Sequence, residues 1–193
     1  MTIGIILAGG KSRRFGEDKA LYRENKHEQT WVEKAADKMS VFVSRIYVAA
    51  NTRNYHALTQ LFMEESKVEV LQDQPPYLDK GPLGGLYAVS SLCQPTCDYL
   101  IMSVDYPLLA PSVLEKLAAA PSGYAVDADG NPHYTIAHYA FSNSEVKQQL
   151  RKGDLRLQNF IARKKIVPLP FDRQQVLINF NTKEEIMNCN GQK

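Results

Sequence analysis

The chain has 193 residues, 44% of them hydrophobic and 23% charged, enough to bury one core and ordinary for a globular protein. A net charge of +2 gives no field of polyanion size, so nucleic acid is excluded as a partner, and no apolar stretch reaches the length of a membrane span. Cys93, Cys97 and Cys189 lack the spacing of a disulfide framework or a zinc set; with no basic and apolar leader, the expected location is the cytoplasm.

Ile3 to Ala8 is a short apolar run bounded by glycines, the pattern of a strand buried on both faces. Gly9 and Gly10 follow, where a backbone can turn and approach a ligand without a Cβ in the way. Lys11, Arg13, Arg14 and Lys19 then place four cations within nine positions. A buried strand opening into a glycine-rich, cationic loop presents N–H groups and charge to a polyphosphate. It is neither of two common phosphate loops. Gly10-Lys11-Ser12 matches the second half of a P-loop, but the first glycine of that pattern falls on Ile5; the adjacent Gly9 and Gly10 do not fit G-x-G-x-x-G.

Thr30 and Glu33 form a capping box ahead of an amphipathic helix carrying Trp31, Val32, Ala35, Ala36 and Met39. Arg45 to Ala50 reads as a second buried strand ending at Asn51, and a helix follows from about Tyr55 to Glu65, with His56 on its surface. Val68 to Leu71 is a third strand, ending near Asp73; a Pro- and Gly-rich loop from Gln74 to Gly85 leads into a helix through Leu92. Tyr99 to Val104 is a fourth strand, with Asp105 at its end, and Pro111 opens a helix to Ala119. Strand, loop and helix thus alternate four times, which predicts a parallel α/β sheet with right-handed crossovers. Ligands of such sheets bind beyond the carboxyl ends of the strands, where Gly9, Gly10, Asn51, Asp73 and Asp105 all fall.

The last third differs. Asp127 to Asn131 is a turn and His133 to Phe141 a strand; helices are expected from Ser144 to Lys152, stopped by Gly153, and from Leu155 to Lys164. Short strands are expected at Ile166 to Leu169 and Val176 to Phe180, then a terminal helix capped by Thr182 and Glu185. No linker interrupts the chain, so residues 1–193 form one domain, with a nucleotide-binding part to about residue 120 and a second-substrate part after it.

Leu7 to Leu21 reads LAGGKSRRFGEDKAL and resembles the signature L-A-G-G-x-S-x-R-φ-G-x-D-K-A-L of nucleotidyltransferases; with NFNT at Asn179–Thr182 and HYTIA at His133–Ala137, it is most similar to the molybdenum cofactor guanylyltransferase (MobA) family. The resemblance implies a three-layer, Rossmann-like nucleotidyltransferase fold with a mainly parallel central sheet and a small C-terminal lobe. The implied reaction transfers GMP from GTP to the phosphate of molybdenum-molybdopterin and releases pyrophosphate, with Mg²⁺. Other proteins of molybdenum cofactor synthesis, or recipient molybdoenzymes, are the implied protein partners.

Such a transfer brings two anions together, so catalysis needs positioning and cations more than a protein nucleophile. Lys19 and Arg14 are assigned to the phosphates beside backbone N–H groups of Leu7, Ala8, Gly9, Gly10 and Lys11; Arg14 is preferred to Arg13, since adjacent side chains rarely face one ligand. Asp105, in SVDYPLL, resembles the family's metal-binding C-D-x-P segment, with Val104 for its Cys, and is the expected Mg²⁺ ligand. If so, Asp105→Asn is expected to collapse turnover and hardly move the melting temperature. Asn51 and Asp73 are placed at the base and ribose, and Gly81 to Gly85 as the loop over the nucleoside; the family implies guanine, which spacing alone does not select. Arg156, Asn179 and Asn181 are expected on the second substrate, although Tyr134 and Lys183 replace prolines of the family pattern. Two rival readings share these residues: a cytidylyltransferase or other nucleotidyltransferase acting on molybdopterin or on a sugar or polyol phosphate, and a non-catalytic nucleotide-binding regulator.

Overall fold

β1 (Thr2–Leu7) is an interior strand of a seven-stranded sheet in the computed structural model, which describes residues 2–93, 95–172 and 177–190. Its neighbours are β2 (Arg45–Ala50) and β4 (Cys97–Ser103), both parallel to it, and β3 (Val68–Gln72) pairs parallel with β2. Beyond β4 come β6 (Pro132–Phe141) and β5 (Gly123–Val126), both in antiparallel pairings, then β7 (Pro168–Pro170), parallel to β5. The order is β3-β2-β1-β4-β6-β5-β7.

Alternation along each strand sends side chains to two helical layers. Ile6, Val48, Leu100, Met102 and Ile136 point to one face, against Val32 and Met39 of α1 (Trp31–Ser40), Leu58 of α2 (Tyr55–Leu61) and Leu117 of α4 (Pro111–Ala119). Ile5, Leu7, Tyr99, Ile101 and Tyr139 point to the other, against Leu86 of α3 (Pro82–Ser90), Val146 of α5 (Asn143–Arg151) and Phe160 of α6 (Leu157–Arg163). Burying each such side chain stabilises the fold by about 1.5–3 kcal/mol before conformational entropy is counted. The result is the three-layer α/β sandwich. The expected capping box closes α1, with Thr30 N–H donating to Glu33 Oε2 at 2.7 Å and Glu33 N–H to Thr30 Oγ1 at 3.3 Å.

Two elements depart from the sequence reading. β5 is a strand in a stretch to which the sequence reading assigned no element; four residues with only alternate burial carry little periodic signal. The strand expected at Val176–Phe180 is not formed by its described residues, 177–180, while Val176 lies outside them. Phe180 N–H donates instead to the Asp105 carbonyl at 3.0 Å, and the Phe180 ring packs with Phe15, Trp31 and Ile186 of α7 (Lys183–Asn190). The burial of Leu177 and Phe180 reflects packing on a loop, not sheet pairing. Among the described residues no helix is long and apolar enough to cross a membrane.

The parallel register decides where chemistry can occur. Leu7 stands opposite Ala49 and Ser103, so β1, β2 and β4 end level with one another. Ala8 N–H donates to the Ala49 carbonyl at 2.9 Å, and Val104 N–H to the Leu7 carbonyl at 3.3 Å, which brings the segments beyond these strands together.

Candidate active site

A cavity of about 290 Å³ opens at these carboxyl ends. Leu7, Ala8, Gly9 and Gly10 line it from β1, Asp73 and Gly81 from beyond β3, and Lys19, Asp105 and Asn179 from elsewhere in the chain. The floor is tight because α3 seats against β1 and β2: a Cβ on Gly85 would stand 2.8 Å from the Ala49 Cβ and 3.2 Å from Leu7 Cδ2. Only glycine lets the helix approach so closely.

The glycine loop is held by amide side chains. Asn51 Nδ2 donates to the carbonyls of Gly9, at 3.1 Å, and Gly10, at 3.3 Å, while its Oδ1 accepts from the N–H groups of Arg53 and Asn54. Asn54 Nδ2 donates to the Ala8 carbonyl and to Asp18 Oδ2, each at 2.9 Å. With these carbonyls engaged from behind, the loop's N–H groups remain for a ligand, except that of Ala8, which is spent on Ala49. The donor set expected from Leu7 to Lys11 therefore contracts to Gly9, Gly10 and Lys11. Asn51, expected at the base or ribose, is 4% exposed and turned into the loop, where it acts as a brace.

Lys19 and Asp105 meet inside the cavity. A turn at Ser12, whose φ is 45°, and Gly16, whose φ is 87°, folds the chain back on itself. Ser12 Oγ accepts the Lys19 N–H at 3.2 Å, and Lys19 Nζ reaches Asp105 Oδ1 at 3.2 Å. The lysine is 7% exposed, and that carboxylate is the counter-charge beside it. Arg14 is exposed at the outer mouth, a second recess where Arg13, Lys11 and Asn181 join Lys19 and Asp105. Arg13 and Arg14 both border it, so the expected preference for Arg14 finds no geometric support.

Asp73 sits on the cavity wall and accepts the Asp79 N–H at 3.1 Å. Desolvation pushes its pKa up to about 6, with the Asp79 N–H pulling the other way. An acid whose folded-state pKa lies above its ordinary value of 3.8 in the unfolded chain withdraws stability as pH rises through that interval. Asp73→Asn is therefore expected to stabilise the unliganded protein by roughly 1–2 kcal/mol at pH 7.5 and by almost nothing near pH 4, after allowance for solvent screening. Urea unfolding at the two pH values reads this out. Nucleotide affinity should fall in the same variant, because a carboxylate acceptor is lost.

Other expected residues divide. Asn179 lines the main cavity and Asn181 the outer recess. Arg156 is brought to neither: it precedes α6, exposed, with Nε 3.4 Å from Asp154 Oδ1, so the basic residue after Gly153-Asp154 serves a local ion pair. Cys93 and Cys97 lie near the start of β4, at the end opposite Asp105, and all three cysteines are free. Ser12 and Asp18 stood in the signature without a role. Asn54 had no sequence signal, because an amide three residues after Asn51 looks like any turn residue.

A mainly parallel sheet that delivers a glycine loop, a buried lysine and a carboxylate to one cavity defines a nucleotidyltransferase. The chain belongs to the MobA-like NTP transferase domain family, whose model matches residues 4–167. It is 29% identical over 194 residues to a protein of Bacillus licheniformis, covering 95% of this chain and 94% of that one. It is 28% identical to one of Pyrococcus horikoshii, covering 95% and 96%. Both carry the name "Probable molybdenum cofactor guanylyltransferase". A nucleotidyl transferase from Methanothermobacter thermautotroptrophicus shares the fold, with a TM-score of 0.75 at 15% identity over 100% of this chain and 97% of that one.

Proposed function

We propose that this chain is a molybdenum cofactor guanylyltransferase, passing GMP from GTP to the phosphate of molybdenum-molybdopterin. The observation that carries the reading is the Lys19–Asp105 pair at 3.2 Å on the cavity wall, beside the Gly9–Gly10 loop. A buried ammonium next to free backbone donors suits a polyanion, and family membership supplies the reaction class.

An oxygen of the acceptor phosphate attacks the α-phosphorus of GTP. The bond from that phosphorus to its bridging oxygen breaks, and pyrophosphate leaves with the electron pair. Gly9, Gly10 and Lys11 N–H groups orient the triphosphate, and Lys19, with Arg13 and Arg14 at the mouth, stabilises the charge that grows on pyrophosphate. Asp73 accepts hydrogen bonds from the nucleoside, and Gly81, with φ of 60°, lets the backbone before α3 border it closely.

The residues fit Mg²⁺. This ion takes one or two carboxylates and completes its shell with substrate phosphates and water. Asp105 offers one carboxylate, 29% exposed, on the same wall as the phosphate donors. No group of three His, Cys, Asp or Glu side chains among the described residues forms an all-protein cage. Asp105 would hold the ion, which would neutralise phosphate charge.

Competition among the four nucleoside triphosphates in the presence of Mg²⁺ tests the guanine assignment. GTP is expected to bind at least about tenfold more tightly than ATP, CTP or UTP, the worth of one or two polar contacts to the base. Equal affinities would remove guanine, and preference for CTP would make the chain a cytidylyltransferase.

A further inference from the structure

Asp105 lies beyond the end of β4 at Ser103, so its place is set by the loop that carries it and not by sheet pairing. Backbone groups tie most of that loop. Val104 N–H donates to the Leu7 carbonyl at 3.3 Å, the Asp105 carbonyl accepts from Phe180 N–H at 3.0 Å, and the Tyr106 carbonyl accepts from Leu109 N–H at 3.2 Å. Pro107 is buried inside the turn that Tyr106 and Leu109 close, and it has no N–H of its own. The donor that reaches its carbonyl comes from another layer of the fold: Nζ of Lys38, in the last turn of α1 and 69 positions earlier in the chain.

Lys38 is a half-buried cation that the reaction as described does not use. Burial, then repulsion by Lys34, push its pKa down to about 8, with Glu24 pulling the other way. At pH 7 it is therefore still an ammonium and still a charged donor. Val32, Ala35, Ala36 and Met39 of α1 share one core with Val104, Tyr106 and Leu109 of the loop, which sets the distance between helix and loop. Packing of that kind is not directional; the ammonium adds the direction, because it fixes one peptide of the loop at one point on the helix. Charged donors make the stronger hydrogen bonds, and a buried carbonyl that loses its donor costs free energy. Without Lys38 the loop must turn to find another donor, and Asp105 stands two residues from the carbonyl that turns.

We propose that Lys38 is a positioning residue for nucleotidyl transfer: by holding the Pro107 carbonyl it fixes the loop from which Asp105 presents its carboxylate to Mg²⁺. It acts through Asp105 and not on the substrates, since it borders neither the cavity nor the outer recess. This inference rests on the guanylyl-transfer reading, with Asp105 as the ion's ligand, and adds to it a support supplied by α1.

The test is GTP binding by calorimetry, without Mg²⁺ and over a series of Mg²⁺ concentrations. Lys38→Met keeps an apolar stem and loses the donor. It is expected to raise the Mg²⁺ concentration that gives half of the gain in GTP affinity by about tenfold, the worth of one charged hydrogen bond, with metal-free affinity within about twofold of wild type. Lys38→Arg keeps a donor on a long stem and is expected to return the Mg²⁺ requirement to within about threefold of wild type. In an Asp105→Asn background Lys38→Met should change that requirement by less than about twofold, because residues that act as one unit are not additive. The proposal is overturned if Lys38→Met needs no more Mg²⁺ than the wild type, or if Lys38→Arg is no better than Lys38→Met. It is equally overturned if metal-free GTP binding weakens as much as binding with Mg²⁺, or if the effect persists in full without the Asp105 carboxylate, as a merely structural role requires. A wild type whose GTP affinity ignores Mg²⁺ would overturn the metal assignment instead, and one that does not bind GTP would overturn the guanylyl-transfer reading itself.

Discussion

Asp105→Asn is expected to lower turnover by roughly 10²–10³, the scale on which removing one electrostatic contact at a developing charge acts. The amide keeps an oxygen of the same shape, so a residue that only closed a turn would tolerate the change. What disappears is formal charge, and with it the carboxylate that would hold Mg²⁺. Raising Mg²⁺ or Mn²⁺ should recover part of the activity, since a weakened site fills by mass action. The ion pair changes one part of the sequence-based expectation, that stability would hardly move. Lys19 Nζ lies 3.2 Å from Asp105 Oδ1 with the lysine side chain 9% exposed, so the variant leaves a buried ammonium without its counter-charge. A loss of about 1–2 kcal/mol is expected, less than for a fully buried pair because the carboxylate is partly solvated. Full activity at ordinary Mg²⁺ would place the metal elsewhere.

Lys19→Ala should lower turnover by a similar 10²–10³, through loss of the ammonium that meets charge growing on pyrophosphate. The affinity for GTP should fall less than turnover, because that charge is larger in the transition state than in the bound triphosphate. Lys19→Arg should recover little: a planar fork does not fit where a point charge sits against Phe15, whose ring centroid is 5.8 Å from Nζ. The two substitutions should not be additive, since each breaks the same pair; the double variant is expected to lose little more than the worse single one. An alanine variant with wild-type turnover would remove Lys19 from the mechanism.

The parallel half of the molecule was legible in the sequence because its strands are buried on both faces and separated by well-marked helices. Ile3 to Ala8, Arg45 to Ala50 and Tyr99 to Val104 each announced a strand, and the topology of parallel sheets then placed Gly9, Asp73 and Asp105 at one edge. The C-terminal third was less legible. β5 is too short to show a period, and the apolar segment from Leu177 to Phe180 packs against the loop after β4 instead of joining the sheet. Site residues read by type could not reveal direction. Asn51 follows its strand as expected, but whether its amide faces a ligand or the carbonyls of Gly9 and Gly10 depends on a contact more than forty positions away in the chain. Asn54 and Asp18 were passed over for the same reason: each acts through a neighbour that only folding supplies. Arg156 shows the converse, a motif position whose side chain is occupied by the adjacent Asp154.

The measurement that bears most directly on the whole account is guanylyl transfer by the purified chain, with GTP, Mg²⁺ and molybdenum-molybdopterin under anaerobic conditions. Pyrophosphate should be released one for one with formation of the molybdopterin guanine dinucleotide; neither should form without the pterin, and both should form roughly 10²–10³ more slowly in Asp105→Asn at the same Mg²⁺. Transfer from GTP to a sugar or polyol phosphate, with none to molybdopterin, would contradict it.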